Sequence, residues 1–275
     1  MLNFVFFSLF THLAIGALLT VLLISLEEIG ATFFRFMSWL TAALLGLALL
    51  AQPLHAQLPN ALFHLPNGSG TLAFGLALST LAVLILGSIW VKRVGKSYLL
   101  LAFGLGLAVL VLIAYFYPIA EGLPHAAFGL RAFSFLGSAL MLGSVLGAMI
   151  TGHWYLVNHK LSIQPLRLAA LLFLGATLVR VLFVIGLMSY SAFSNEAALV
   201  ESARALLGFS GRGILFWARC IIGLAGPLIF AFLIYETVKL KSTQSATGML
   251  YATVVLVFIG EAFSKFLWFF TGIPV

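Results

Sequence analysis

The chain has no aspartate and a single cysteine, Cys220, and only 8% of its residues are charged. Each scarcity excludes something. One cysteine rules out an internal disulfide, a CxxC pair and a Cys-rich zinc or iron-sulfur pattern within the chain. Seven glutamates as the only carboxylates leave too few for the oxygen cages that calcium or magnesium prefer. Phosphate-loop, GxGxxG and HExxH patterns are absent as well. No segment is long and polar enough to form a domain outside a membrane, so a self-contained soluble active site is not expected.

What is abundant is apolar. Of the 275 residues, 63% are hydrophobic, and the mean hydropathy of +1.19 lies outside the range of soluble domains. A hydrocarbon layer of about 30 Å requires about twenty apolar residues in a helix that rises about 1.5 Å per residue. Eight such runs are present, at about 3–26, 33–51, 71–91, 97–117, 132–156, 166–189, 213–235 and 244–270. They are apolar all round and lack the dyad alternation of barrel strands. The expected fold is an all-α integral membrane protein of about eight transmembrane helices, one transmembrane domain grouped as two four-helix bundles. The first run is expected to be a membrane helix rather than a cleaved signal, because no basic residue precedes it and it is too long for a signal core.

Orientation follows from the basic residues. Arg35, Lys92, Arg93, Lys96, Lys160, Arg167, Lys239 and Lys241 fall in connections on one side, which is expected to be cytoplasmic. The opposite connections include 52–70, without any basic residue. Both termini are therefore expected outside an inner (cytoplasmic) membrane. The formal charge of +7 is accounted for by this bias and implies no nucleic acid. In the 191–212 connection, residues 194–207 read as a short amphipathic helix, started by Ser194 or Asn195 and ended by Gly208, lying at the interface or serving as a docking surface.

Ionisable residues inside membrane helices are costly unless paired or hydrated, so the few present stand out. His12, Arg180, Arg219 and Glu261 all fall, at about 1.5 Å per residue, between the midplane and the outer surface. Glu261 and Lys265 are four apart and can neutralise each other on one helix face. Arg180 has only the Thr177 hydroxyl nearby on its own helix and must find a partner on another. The convergence reads either as a structural ion pair or as a pocket in which imidazole, guanidinium and carboxylate bind a polar head group and move protons.

Haem is not expected. His153, in GHWYL near the inner end of the fifth helix, lies at the opposite depth from His12, and His55, His64, His125 and His159 fall in connections. Trp154, Tyr155 and Trp268 read as interfacial aromatics. Gly143 and Gly147 read as a close-packing GxxxG, and Gly223, Gly226 and Pro227 as a loosened stretch of the seventh helix.

The opening FVFFSLFTHLAIGALL (4–19) and the closing GEAFSKFLWFFTGIP (260–274) resemble the first and last helices of the DmsC and NrfD type of quinol-linked membrane anchor, found in polysulfide and DMSO reductases. In that family the last helix carries Gly-Glu, an Arg four residues after the Glu, and Phe-Tyr. Here those positions hold Gly260, Glu261, Lys265, Trp268 and Phe269, and His12 stands where a Gln is common. Lys265 cannot reproduce the planar fork of an arginine. The resemblance implies eight helices with both ends outside and a site for menaquinone or ubiquinone. It also implies an extracytoplasmic iron-sulfur or multihaem cytochrome c partner that holds the metals, so that no metal is expected here. In that reading Glu261 and Arg180 are catalytic and His12, Arg219 and Lys265 bind the quinone. The alternatives are a secondary transporter or a purely structural subunit.

Overall fold

The structure, a computed structural model, describes residues 2–51, 69–116, 127–158, 161–209 and 211–275. In a hydrocarbon layer each backbone N–H and C=O must be satisfied within its own segment, and the apolar runs accordingly form helices. Among the described residues, eight spans are long and apolar enough to cross a membrane. They are α1 (Leu2–Leu23), α3 (Ala31–Leu50), α4 (Ser69–Ile89), α6 (Ser97–Phe116), α7 (Ala127–Val157), α8 (Gln164–Ala192), the broken seventh span, and α12 (Thr243–Thr271). The seventh consists of α10 (Arg212–Cys220), a π-helical turn (Ile221–Ala225) and α11 (Gly226–Lys239). Short helices α2 (Leu26–Ile29), α5 (Val91–Val94) and α9 (Ala197–Leu207) occupy connections. Several spans outrun their apolar windows. The 31 residues of α7 reach about 46 Å at 1.5 Å per residue, so its ends leave the hydrocarbon layer or the helix tilts.

The helices form two four-membered rings. In the first, α1, α3, α4 and α6 pack in succession and α6 closes onto α1; in the second, α7, α8, α10–α11 and α12 do the same and α12 closes onto α7. The expected pair of bundles is present, and the chain is an all-α, multi-pass membrane protein. The seam between bundles is α1 against α7, flanked by α6 against α7 and α1 against α12.

Glycine allows that seam. A Cβ on Gly16 would lie 1.7 Å from the backbone oxygen of Ala139, and one on Gly143 would lie 1.9 Å from the carbonyl carbon of Gly16. One turn on, Gly147 meets the Thr20 side chain. The GxxxG of α7 thus holds α1 at backbone contact, where dispersion replaces the hydrophobic force that lipid does not supply.

At the end where α1 finishes and α6 begins, the Lys96 ammonium donates to the backbone oxygens of Leu22 and Ile24, closing carbonyls left open at the end of α1. Arg35 donates to the Ser88 oxygen there at 3.3 Å. At the opposite end, α9 buries Leu199, Ala203 and Leu206 against Val184, Leu187 and Met188 of α8 and Phe216 of α10. Gly272 adopts a left-handed conformation (φ 69°) that ends α12. The chain then turns back, and Ile273 and Val275 are buried in the same cluster as α9.

Candidate functional site

The centre of the second bundle is ionic. Gly260, Glu261, Ser264, Lys265 and Trp268 are all buried on α12, and their spacing of three and four residues sets them along one helical face. Arg180 comes from α8, Arg219 from α10, and Ser134 and Ser138 from α7. All of these side chains are at most 1% exposed.

Glu261 is held on both oxygens. The Arg219 Nη2 donates to Oε1 at 2.5 Å, and Arg180 Nε stands 3.5 Å from the same oxygen, an ion-pair separation without hydrogen-bond geometry. The Ser138 hydroxyl donates to Oε2 at 2.6 Å and accepts from Lys265 Nζ at 2.9 Å. Lys265 itself is 4.0 Å from Oε2. The pairing within α12 is therefore the longest of the three, and the carboxylate's strongest partner comes from another helix. A serine bridges the rest.

A feature of the sequence explains how Arg219 is placed. Pro227 has no N–H and cannot bond the carbonyl of Gly223 four residues earlier. The helix widens to a π turn over Ile221–Ala225, and Arg219 Nη1 donates to the Gly223 oxygen at 3.1 Å. Gly223 also lies against Gly260, where a Cβ on either would fall within 2.4 Å of the other's Cα. The loosened stretch is thus a socket for a guanidinium and a contact point for α12.

Arg180 is fixed from the opposite side. Its Nη1 donates to Ser134 Oγ at 2.9 Å, and its Nη2 to Ser264 Oγ at 3.1 Å and to the Val275 backbone oxygen at 3.2 Å. Ser264 also donates to that oxygen, and Ser134 to the Pro274 oxygen at 3.4 Å. Thr177 makes no contribution, since its hydroxyl bonds the Phe173 oxygen of its own helix. The residues after Gly272 therefore cap the charge cluster with carbonyl oxygens.

Three cations and one carboxylate share this enclosure, so the side chains carry a formal excess of two positive charges when all are ionised. Ion pairs in low dielectric offset their desolvation only when fully hydrogen-bonded. Here Nε of Arg180 and Nε of Arg219 have no hydrogen-bond partner.

His12 approaches from the other bundle. Its Nδ1 meets the Ser8 backbone oxygen; a carbonyl can only accept, so Nδ1 carries the proton and Nε2 is left as an acceptor. Nε2 is buried and has no partner. The imidazole lies 4.7 Å from the ring of Phe135, and Lys265 Nζ lies 5.0 Å from that ring and 5.6 Å from Trp268. Both groups lie against the Phe135 ring, with Trp268 packed edge-on against it at 5.2 Å. Lys265, Glu261 and Arg180 are all within electrostatic reach of His12.

All five residues singled out in the sequence thus lie in or beside one cluster. The serines at 134, 138 and 264 and the ring of Phe135 were not foreseen, since hydroxyls and aromatics are common packing residues in membrane helices and carry no signal by themselves. Trp268, in the last turn of α12, is wholly buried beside Lys265. Tyr155 is also buried, two residues before the end of α7. His153 is 18 positions beyond Phe135 along α7, about 27 Å at 1.5 Å per residue, and bonds Tyr251 at 2.8 Å. His55, His64, His125, His159, Lys160 and the 52–68 connection lie outside the described residues. Among the described residues no three His, Cys, Asp or Glu side chains converge as a metal site would require.

Two cavities lie away from the ions. One, of about 350 Å³, is lined by Leu72, Leu76, Ala108, Val111, Leu112, Tyr115 and Phe128, and Leu76 and Leu112 abut the packing cluster that contains Phe135 and Trp268. The other, of about 200 Å³, is lined by Tyr155, Leu161, Ile163, Lys241 and Thr243.

No protein-family profile, curated protein or solved structure matches the chain. Fold and site together define a class: a polytopic α-helical membrane protein of two four-helix bundles with an enclosed, positively biased ion cluster in one of them.

Proposed function

We propose that the chain is the membrane anchor of a respiratory redox complex, exchanging electrons between the quinone pool, menaquinone or ubiquinone, and an extracytoplasmic iron-sulfur or cytochrome c subunit. In this reading it lies in the inner membrane with both termini outside, and the basic connections face the cytoplasm. The observation that carries it is the pairing of an unpartnered imidazole nitrogen, His12 Nε2, with a buried group of cations that has one side-chain carboxylate to balance it.

Those residues carry the polar groups that a quinone headgroup would use. His12 Nε2 is suited to accept from a quinol hydroxyl, Lys265 and Arg180 to donate to a quinone oxygen, and Phe135 and Trp268 to border a flat ring. The apolar cavity at Leu76 and Leu112 suits an isoprenoid tail. A quinone supplies two-electron, two-proton redox chemistry when bound. Both oxygens of Glu261 are engaged; in this reading the carboxylate positions Arg219, Arg180 and Lys265, and the proton is taken at His12 Nε2.

The test uses His12→Gln and Lys265→Met in the assembled complex. Each is expected to lower quinol-dependent turnover at least tenfold while the redox subunits still co-purify. Unchanged quinol kinetics in both variants, or repeated purification without any redox partner, overturns the reading.

A second reading, secondary transport, draws on the π turn at Ile221–Ala225, because such breaks in membrane helices often line transport paths. Substrate uptake by the isolated chain in liposomes would favour it.

A further inference from the structure

A second site is built at the end of the molecule that carries the basic connections, and it rests on no part of the quinone reading. The cavity of about 200 Å³ is lined by Tyr155, Leu161, Ile163, Lys241 and Thr243. Two membrane helices start there: Ile163 precedes the first residue of α8, and Thr243 is the first residue of α12. No side chain on either N-cap residue bonds its helix. Ser162 accepts from the Gln164 N–H at 3.3 Å, and Pro165 has no N–H to offer, while the first turn of α12 has no such cap. Both helices present the positive ends of their dipoles to this place, which favours an anion.

Two further groups act in the same sense. Lys241 is exposed beside the cavity, in a left-handed conformation (φ 60°) unusual for a residue with a Cβ. Its carbonyl accepts from the Thr243 N–H at 3.0 Å, so this turn fixes the lysine at the helix start. Tyr155 is 4% exposed, lines the cavity, and its hydroxyl has no hydrogen-bond partner. The backbone of Leu166 lies near that hydroxyl without meeting hydrogen-bond geometry. A buried hydroxyl without a partner destabilises the fold unless a water or ligand satisfies it. Among the described residues no carboxylate lines the cavity, and Glu28, exposed on α2, is within electrostatic reach of Tyr155.

We propose that this cavity binds a phosphate group, taken from a phospholipid headgroup or from free phosphate, with the Tyr155 hydroxyl and the Lys241 ammonium donating to its oxygens and the N-terminus of α12 beneath it. An ammonium and a phenol are donors and a helix N-terminus is the positive end of a dipole, and an oxoanion is the ligand class that uses all three. The position at the end of the spans places the site at headgroup level.

The experiment is native mass spectrometry of the full chain, delipidated in mild detergent and titrated separately with phosphatidylglycerol and with inorganic phosphate. Lys241→Gln, Tyr155→Phe and, as a control, Lys239→Gln are compared with the parent chain. Saturable uptake of one phosphatidylglycerol, weakened at least fivefold by each of the first two variants and unchanged by Lys239→Gln, supports a headgroup site. Saturable uptake of phosphate with the same variant pattern, displacing the lipid, supports the phosphate site and assigns the free ion. Uptake that is unsaturable, or that responds equally to all three variants or to none, overturns the proposal. Lys241→Gln alters an exposed side chain, so its result is independent of any folding defect in Tyr155→Phe.

Discussion

Glu261 is the residue on which the buried charges depend. Removing one member of a buried ionic group leaves the others uncompensated and costs about 3–5 kcal/mol, so Glu261→Gln is expected to lower folded yield and thermal stability in detergent sharply. Adding Lys265→Met removes one of the stranded cations, and the double variant is expected to recover part of that loss. If the double variant is no more stable than Glu261→Gln alone, Lys265 is not ionised in the folded protein. His12→Gln makes the contrasting case. The imidazole hydrogen-bonds only within its own helix, so the loss of stability is expected to be smaller than that of Glu261→Gln while any quinol-linked activity falls. The depth of these residues could be read from the sequence, but their pairing could not. Glu261 and Lys265 look like natural partners at four residues apart, yet Arg219, 42 positions away, is 2.5 Å from the carboxylate. Helix rotation decides that, and rotation follows from packing.

Among the elements, the α1–α7 seam and the broken seventh span determine the geometry of the site. Gly143→Leu is expected to prevent the bundles from closing, since its side chain would have to occupy the backbone of Gly16. Overpacking usually costs about 1–3 kcal/mol, and here no side chain can move aside. Gly46→Ala, where a Cβ meets nothing within 4 Å, is expected to be neutral in the same thermal assay. Gly260→Ala should separate α12 from the π turn and disturb Arg219, with loss of thermal stability as the first sign. Equal melting temperatures for Gly143→Leu and Gly46→Ala would contradict the seam. The GxxxG and the Gly-Pro break were visible as patterns. Their partners, Gly16 and Gly260, were not, because a single glycine in a glycine-rich membrane helix carries no mark of what it faces.

For the whole molecule, eight spans put both ends of the chain on one side of the membrane, and the distribution of Lys and Arg predicts which side. In a Cys220→Ser background, Lys92→Cys and Lys241→Cys are expected to react with a membrane-impermeant thiol reagent only after the membrane is opened. Phe193→Cys and Phe209→Cys, among the most exposed aromatics beside α9, are expected to react in intact cells. The reverse pattern would invert the proposed topology and place the ion cluster in the inner leaflet. Composition and the length of the apolar runs determined that this chain lies in a bilayer as eight helices, because a hydrocarbon layer admits only helices or closed barrels and these runs lack barrel alternation. Only the tertiary structure decided that the helices close into two rings, that Arg180, Arg219 and Lys265 share one carboxylate, and that a lone imidazole nitrogen is left beside them. Those are contacts between distant segments, fixed by close packing at glycines and by the requirement that buried charges find partners, and no local stretch of sequence carries them.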